Sequence, residues 1–245
     1  MPFAPRHLFA LATLLCGLAV AAPANAASPG LNISAYADAP QAVQQDAEQV
    51  RFFVPWRNFE PNSPRDFSAR GPVAPSPLVD DLKIYVNRVR AAGKTPIMVL
   101  LDAPDWASPV ADARPHKPPA NATDFSAFAG ELATWLHQKD GPAPAYEVWN
   151  EPDAADFWGG APDVDLYTAL LRNSYTAIKA GDPRALVLTG PTTGNNYAWI
   201  ESLYARGAKG FFDGVAVHTD TACSIVGPDV FYRDPANGRL GQFTF

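Results

Sequence analysis

Cysteine is nearly absent, with only Cys16 and Cys223 in 245 residues. Cys16 lies in the apolar N-terminal run, so Cys223 would stand alone in a processed chain, and a lone cysteine leaves no disulfide framework to read. Basic charge is not in excess. With 19 Lys and Arg against 25 Asp and Glu the formal charge is −6, and no basic stripe runs through the sequence, which removes the electrostatic footprint of a nucleic-acid binder. Beyond the N-terminus no segment reaches about 18 uninterrupted apolar residues, so no membrane span is expected once a leader is removed. His116 and His137 read as a solvated loop residue and a helix-surface residue, outside any metal-ligand spacing. No Gly-rich phosphate loop follows the first strand, where "SAYADAP" stands. Neither metal nor cofactor is therefore expected, and nothing reports an oligomeric state.

What is present begins with "MPFAPRHLFALATLLCGLAVAAPANAASPG". Arg6 and His7 precede an apolar run from Leu8 to Ala22 and the small-residue site Ala24-Asn25-Ala26. That is the layout of a secretory signal peptide over residues 1–26, cleaved after Ala26 to release an extracellular or periplasmic protein. Cys16 follows Leu14 and Leu15 with no small residue before it, which argues against a lipid anchor. Residues 27–245 have the length of one domain with a good-sized core. Proline, 25 of 245 residues, is about twice its usual 5% and gathers in particular loops.

Short β-type runs alternate with amphipathic helical ones. Expected strands are Leu31 to Ser34, Val50 to Val54, Thr95 to Leu101, Ala145 to Trp149, Ala185 to Thr189 and Gly214 to His218. Most are nearly continuous apolar runs, as in parallel strands covered on both faces. Helical stripes comprise Leu78, Leu82, Tyr85, Val86 and Val89, stopped at Gly93; Phe125, Phe128, Leu132, Trp135 and Leu136, capped by Thr123 or Asp124; and Leu166, Leu170, Leu171, Tyr175 and Ile178, ended by "AGDP". This is an α/β pattern, either a doubly wound sheet or a (β/α)8 TIM barrel. The long loops "PWRNFEPNSPRDFSARGPVAPSP" and "DAPDWASPVADARPHKPPAN" follow the second and third strands. Barrel enzymes build active sites at those strand ends, which favours the barrel.

At the fourth strand "YEVWNEPD" sets Asn150 and Glu151 on the C-terminal lip, with apolar residues below limiting their solvation. Desolvation raises a carboxyl pKa, which suits a proton-donating glutamate; otherwise the triplet merely ends a strand with Glu151 in water. "YEVWNEPD" resembles the acid/base motif of clan A glycoside hydrolases, (β/α)8 enzymes that cleave glycosidic bonds with retention. The resemblance implies Glu151 as general acid/base and Asn150 as the contact to the hydroxyl beside the anomeric carbon. "VRFFVPWRNFEP" is similar to the second strand and loop of cellulase-like family 5 and xylosidase-like family 39 enzymes. Their strand-borne arginine matches Arg51, expected to support the catalytic carboxylates. "APDWAS" resembles the loop after the third strand, and "FFDGVAVHTD" the sixth strand, ending in His218. A carbohydrate is the implied partner. Trp56, Trp106 and Trp158 follow strand ends, where an indole face could stack on a sugar ring. Asp102 stands where family 5 usually has a different polar residue. Asn32-Ile33-Ser34 and Asn121-Ala122-Thr123 match the short glycosylation pattern.

Retention requires a second carboxylate about 5 to 5.5 Å from the first, which the resemblance places on a seventh strand. The sequence has six glutamates: Glu48, Glu60, Glu131, Glu147, Glu151 and Glu201. Glu48 and Glu131 are expected on helices, Glu201 at a helix start, Glu60 in a loop and Glu147 inside the fourth strand. None resembles the attacking residue, and Thr219 and Asp220 replace the usual Pro and Tyr after the sixth-strand histidine. The expectation is a barrel truncated after about six strands, retaining the ancestry of a secreted glycosidase with little activity of its own. A non-catalytic carbohydrate-binding protein on a decayed barrel is the alternative, and a nucleotide-dependent α/β enzyme a third reading without its Gly-rich loop.

Overall fold

The computed structural model describes residues 28–65, 78–112 and 114–218 in full, and the backbone of 231–233 and 240–242. The leader, most of the first Pro-rich loop, Thr219, Asp220 and Cys223 lie outside the described residues.

Five strands form one sheet: β1 (Gly30–Asn32), β2 (Gln49–Pro55), β3 (Thr95–Leu101), β4 (Ala145–Val148) and β5 (Leu186–Thr189). They lie in sequential order and every pairing is parallel. A doubly wound sheet reverses its strand order at a switch point; this one does not, so the winding is that of a (β/α)8 barrel. The connections carry α1 (Ala39–Ala42), α2 (Trp56–Phe59), α3 (Leu78–Ala91), α4 (Ala122–Leu136), α5 (Ala155–Trp158), α6 (Val164–Gly181) and α7 (Tyr197–Ala205). Among the described residues no helix is long and apolar enough to cross a membrane.

The expected sixth strand runs parallel beside β5 through two isolated bridges, Leu188 to Gly214 and Thr192 to Val217. Its ladder is broken because side chains occupy places that carbonyls would fill. The Val187 amide donates to the Asp213 carboxylate at 2.8 Å, and the Ala216 amide to the Thr189 hydroxyl at 3.0 Å. A separate antiparallel pair, β6 (Phe231–Arg233) with β7 (Leu240–Gln242), forms its own small sheet.

Burial alternates along β2. Val50, Phe52 and Val54 are fully enclosed on the helix side, where Phe52 meets Tyr36 and Tyr36 meets Tyr85 of α3. Arg51 and Phe53 point to the barrel axis and are only partly covered. The helix stripes bury Leu82, Val86 and Val89 from α3, Phe125, Phe128, Leu132 and Leu136 from α4, and Leu170, Leu171 and Ile178 from α6. Trp135, expected within the stripe of α4, is 48% exposed, with the Lys83 ammonium 5.1 Å above its ring. The cap of α4 is Asn121 rather than Thr123 or Asp124: its side-chain oxygen accepts from both of their amides at 3.0 Å. Asp163 caps α6 in the same way. Glu48 lies in a bend leading into β2, not on a helix.

Candidate active site

The chain leaves β4 through an unusual backbone. Trp149 has φ 75° and Glu151 φ 45°, with Asp102 at the end of β3 at φ 61°. Such left-handed values in bulky residues cost on the order of 1–3 kcal/mol each and persist only where the surroundings enforce them. Here they are enforced. The Trp149 ring is fully buried between Phe125 and Trp158, with centroids at 5.8 and 5.2 Å, and its Nε1 donates to the Phe157 carbonyl at 3.0 Å. Tyr167 of α6 donates its hydroxyl to the Val148 carbonyl (3.0 Å) and accepts from the Gly190 amide (2.7 Å), clamping the ends of β4 and β5 together. Only glycine fits at 190, because a Cβ there would lie 2.7 Å from the Val148 oxygen and 3.0 Å from Pro152 Cδ.

This backbone presents three polar side chains differently. Asn150 is buried, and its Oδ1 accepts from Arg51 Nη2 at 2.9 Å. The same guanidinium forks onto Glu147, with Nη2 2.7 Å from Oε2 and Nε 3.1 and 3.0 Å from the two oxygens, while Nη1 donates to Asn32 Oδ1 at 3.1 Å. In the register Arg51 is paired with Ile97 and Glu147 with Val99, so the two charges lean toward one another across β3 on the inner face. Arg51, expected to support the catalytic carboxylates, has Glu147 as its ion-pair partner. Glu151 makes a different contact, with Oε1 2.6 Å from His218 Nδ1, and its side chain is 13% exposed against 26% for the histidine. The irregular sixth segment delivers His218, whose amide donates to the Thr192 carbonyl at 2.9 Å. Asp153 anchors the loop after β5, accepting from the Thr193 amide at 3.0 Å and from Asn196 Nδ2 at 2.9 Å.

No family model and no curated protein matches the chain. Solved structures do. A family 39 glycoside hydrolase from Bacteroides cellulosilyticus WH2 aligns at TM-score 0.57 and 19% identity, over 78% of this chain and 38% of that one. The catalytic domain of GH30 xylanase C from Talaromyces cellulolyticus gives 0.57 and 14%, over 78% and 52%. A monomeric β-xylosidase from Caulobacter crescentus CB15 gives 0.56 and 18%, over 87% and 44%. The fold shared with them is that of part of a (β/α)8 barrel. Its structural neighbours are glycoside hydrolases of the clan that "YEVWNEPD" resembles, and the chain spans 38% to 52% of these three structures.

Within this barrel the tryptophans separate. Trp56 is 0% exposed, stacked on Phe128 at 5.8 Å and bonded through Nε1 to Glu60 Oε2 at 2.7 Å. Trp158 is 2% exposed between Trp149 and Tyr167. Neither shows a ring face to a sugar, because the aromatic residues of α4 and α6 close over the strand ends. Trp106 is half-buried, its edge on Trp56 and its Nε1 donating to the Glu60 carbonyl at 2.7 Å. Burial pushes the Glu60 carboxyl pKa up, against the opposing bonds from Trp56 and the Arg65 amide.

Of the histidines read as solvated, His116 is hydrogen-bonded, its Nδ1 2.7 Å from Asp102 Oδ1, whereas His137 Nδ1 comes within 3.0 Å of Asp182 Oδ1 without hydrogen-bond geometry. Sequence reasoning missed the role of Glu147; its signal was an acidic residue on the inward face of a strand two places from an inward arginine. Among the described residues no three His, Cys, Asp or Glu side chains gather as metal ligands would.

Proposed function

We propose that this chain carries the acid/base side of a retaining glycosidase site, exported and directed at the O-glycosidic bonds of a neutral oligo- or polysaccharide. The observation that supports it most is the pairing at the end of β4: Glu151 against His218 at 2.6 Å, beside an Asn150 whose amide Arg51 holds in one orientation. With Oδ1 committed to Arg51, Asn150 turns its NH2 into the donor end, as needed to hold a hydroxyl next to the anomeric carbon. Glu151 protonates the departing oxygen in the first half of the reaction and takes a proton from water in the second.

The attacking carboxylate is the other requirement. At this rim Glu147 is held by Arg51, Asp102 by His116 and Arg57, and Asp153 by the loop after β5. None of these is placed as an unengaged nucleophile. We therefore expect these 245 residues to cleave activated aryl β-glycosides only when an external anion such as azide attacks the anomeric carbon, releasing the aryl alcohol and a glycosyl azide. Azide-independent hydrolysis would show that the chain supplies its own nucleophile, with Asp220 the first residue to test. Failure of azide to produce any glycosyl azide from a folded sample would count against the acid/base reading itself. The binding-only alternative gains nothing from Trp56 and Trp158, since both rings are enclosed.

A further inference from the structure

The two members of the Glu151–His218 pair reach the site from different strands. Glu151 follows β4, whereas His218 hangs on the loop after β5, its amide donating to the Thr192 carbonyl at 2.9 Å. Their meeting therefore depends on how far apart the ends of β4 and β5 are held. The last registered pair of these strands is Val148 with Thr189. Lower in the ladder the Leu186 amide donates to the Pro144 carbonyl at 2.9 Å. Rungs of a parallel ladder recur at every second residue, so a continuing one would bring the Gly190 amide directly onto the Val148 carbonyl. Tyr167 of α6 stands in that rung. Its hydroxyl donates to the carbonyl at 3.0 Å and accepts from the amide at 2.7 Å, which spaces the two strand ends by an oxygen atom.

The hydroxyl is fixed from every side. Tyr167 is fully buried, its ring between Trp158 and Trp199 with centroids at 6.2 and 5.9 Å. Burial pushes its pKa up, and the charges of Glu147 and Asp153 add to that against the opposing bond from Gly190, so the phenol keeps its proton and stays a donor. On the β4 side the bonded carbonyl belongs to the peptide that enters Trp149 at φ 75°, just before Glu151 at φ 45°. The Trp149 amide is held in turn by the Leu100 carbonyl of β3 at 2.8 Å. On the β5 side Gly190 leads through Pro191 to Thr192, the residue that carries His218. We propose that Tyr167 is a positioning residue for the acid/base pair, its hydroxyl setting the spacing of the β4 and β5 ends at which Glu151 meets His218. This rests on the glycosidase reading and adds to it a residue of the helix layer. In Tyr167→Phe the relay is lost, and the Gly190 amide is drawn toward the Val148 carbonyl, carrying Thr192 and His218 with it.

The test compares the full wild-type chain with Tyr167→Phe and with Ile178→Val, which trims a fully buried side chain elsewhere on α6. Circular dichroism establishes folding, NMR reads the ring nitrogens of His218, and azide-supported cleavage is followed over aryl β-glycosides whose phenols differ in acidity. Expected is a folded Tyr167→Phe with displaced His218 ring resonances. Its kcat with weakly acidic phenols should fall about tenfold, part of what a general acid supplies, with a smaller loss for strongly acidic phenols and KM unchanged. Ile178→Val should show neither effect, and replacing Tyr167 with 4-aminophenylalanine, which again donates and accepts, should restore part of the rate. Unmoved His218 resonances in folded Tyr167→Phe, or a rate loss of the same size for every phenol, overturns the positioning role. So does a Tyr167→Phe chain that does not fold, because the hydroxyl would then serve the fold as a whole. In each of these cases glycosyl azide formed by the wild-type chain leaves the glycosidase reading standing. No glycosyl azide from the folded wild-type chain overturns that reading and the positioning role with it.

Discussion

Replacing Arg51 with methionine keeps much of its volume and removes the charge that holds the inner face of the barrel together. Glu147 is 6% exposed at its side chain and receives contacts from Nε and Nη2 of Arg51; Asn150 and Asn32 each lose a donor as well. Removing one partner of a buried pair leaves an uncompensated charge at a cost of about 3–5 kcal/mol. For a domain of this size that lowers Tm by on the order of 10 °C. Glu147→Gln should cost less, about 2 kcal/mol, because Arg51 is the more exposed partner, at 16%, and keeps both asparagines. In the double variant Arg51→Met, Glu147→Gln neither charge is stranded, and its loss should not exceed that of Arg51→Met alone, giving a coupling of about 2 kcal/mol or more. Denaturant unfolding of the four proteins measures the cycle. An Arg51→Met loss below about 1 kcal/mol, or strictly additive losses, would refute the reasoning.

Trp56→Ala should cost about 3–5 kcal/mol in unfolding free energy, as for other buried aromatic truncations, while leaving carbohydrate affinity of the folded fraction unchanged; a selective loss of affinity would restore Trp56 as a sugar platform. Asn121→Ala removes a cap that satisfies two amides and should cost about 1 kcal/mol by thermal denaturation. Tyr36 has its pKa pushed up to about 12, chiefly by burial and then by Asp81 and Tyr85, and burial raises Tyr146 and Tyr167 further. The folded state therefore holds these protons more tightly than the unfolded chain. That stability is intact below the ordinary tyrosine value of 10.0 and falls as pH rises through about 12. Phenolate absorbance followed against far-ultraviolet circular dichroism should show part of the tyrosines ionising only above the normal range, Tyr146 and Tyr167 together with unfolding.

The strands were the most legible part. Thr95–Leu101 has the bounds its apolar run suggests, and β4 ends one residue before Trp149, where φ turns positive. The sixth segment was legible in place but not in form, because the diversion of ladder bonds to Asp213 and Thr189 depends on side chains that carry no strand signal. The cap of α4 was misplaced by two or three residues: Asn121 reads as a glycosylation site or a cap with equal ease, and the geometry uses it as a cap. Trp56 follows a strand end, which suggests a place at the barrel mouth. Whether an indole there is open or enclosed is decided by Phe125 and Phe128 on a helix some seventy residues away. Glu151, the proposed acid/base, was singled out by "WNEP", whereas the Arg51–Glu147 pair required the register across β3. His116 lies in a loop, as read, but nothing in the sequence says that the chain folds it back over Asp102.

The central claim is that Glu151 protonates a departing glycosidic oxygen, and the leaving-group dependence of azide-supported cleavage tests it most directly. A series of aryl β-glycosides whose phenols differ in acidity would be compared between the wild-type chain and Glu151→Gln. Loss of a general acid should cost about 10²–10⁴-fold with poor leaving groups and little with strongly acidic phenols, which depart without a proton. That widening gap is the predicted result. Equal rates in both proteins across the series, or a loss of the same size for every leaving group, would contradict the assignment of Glu151 as the acid.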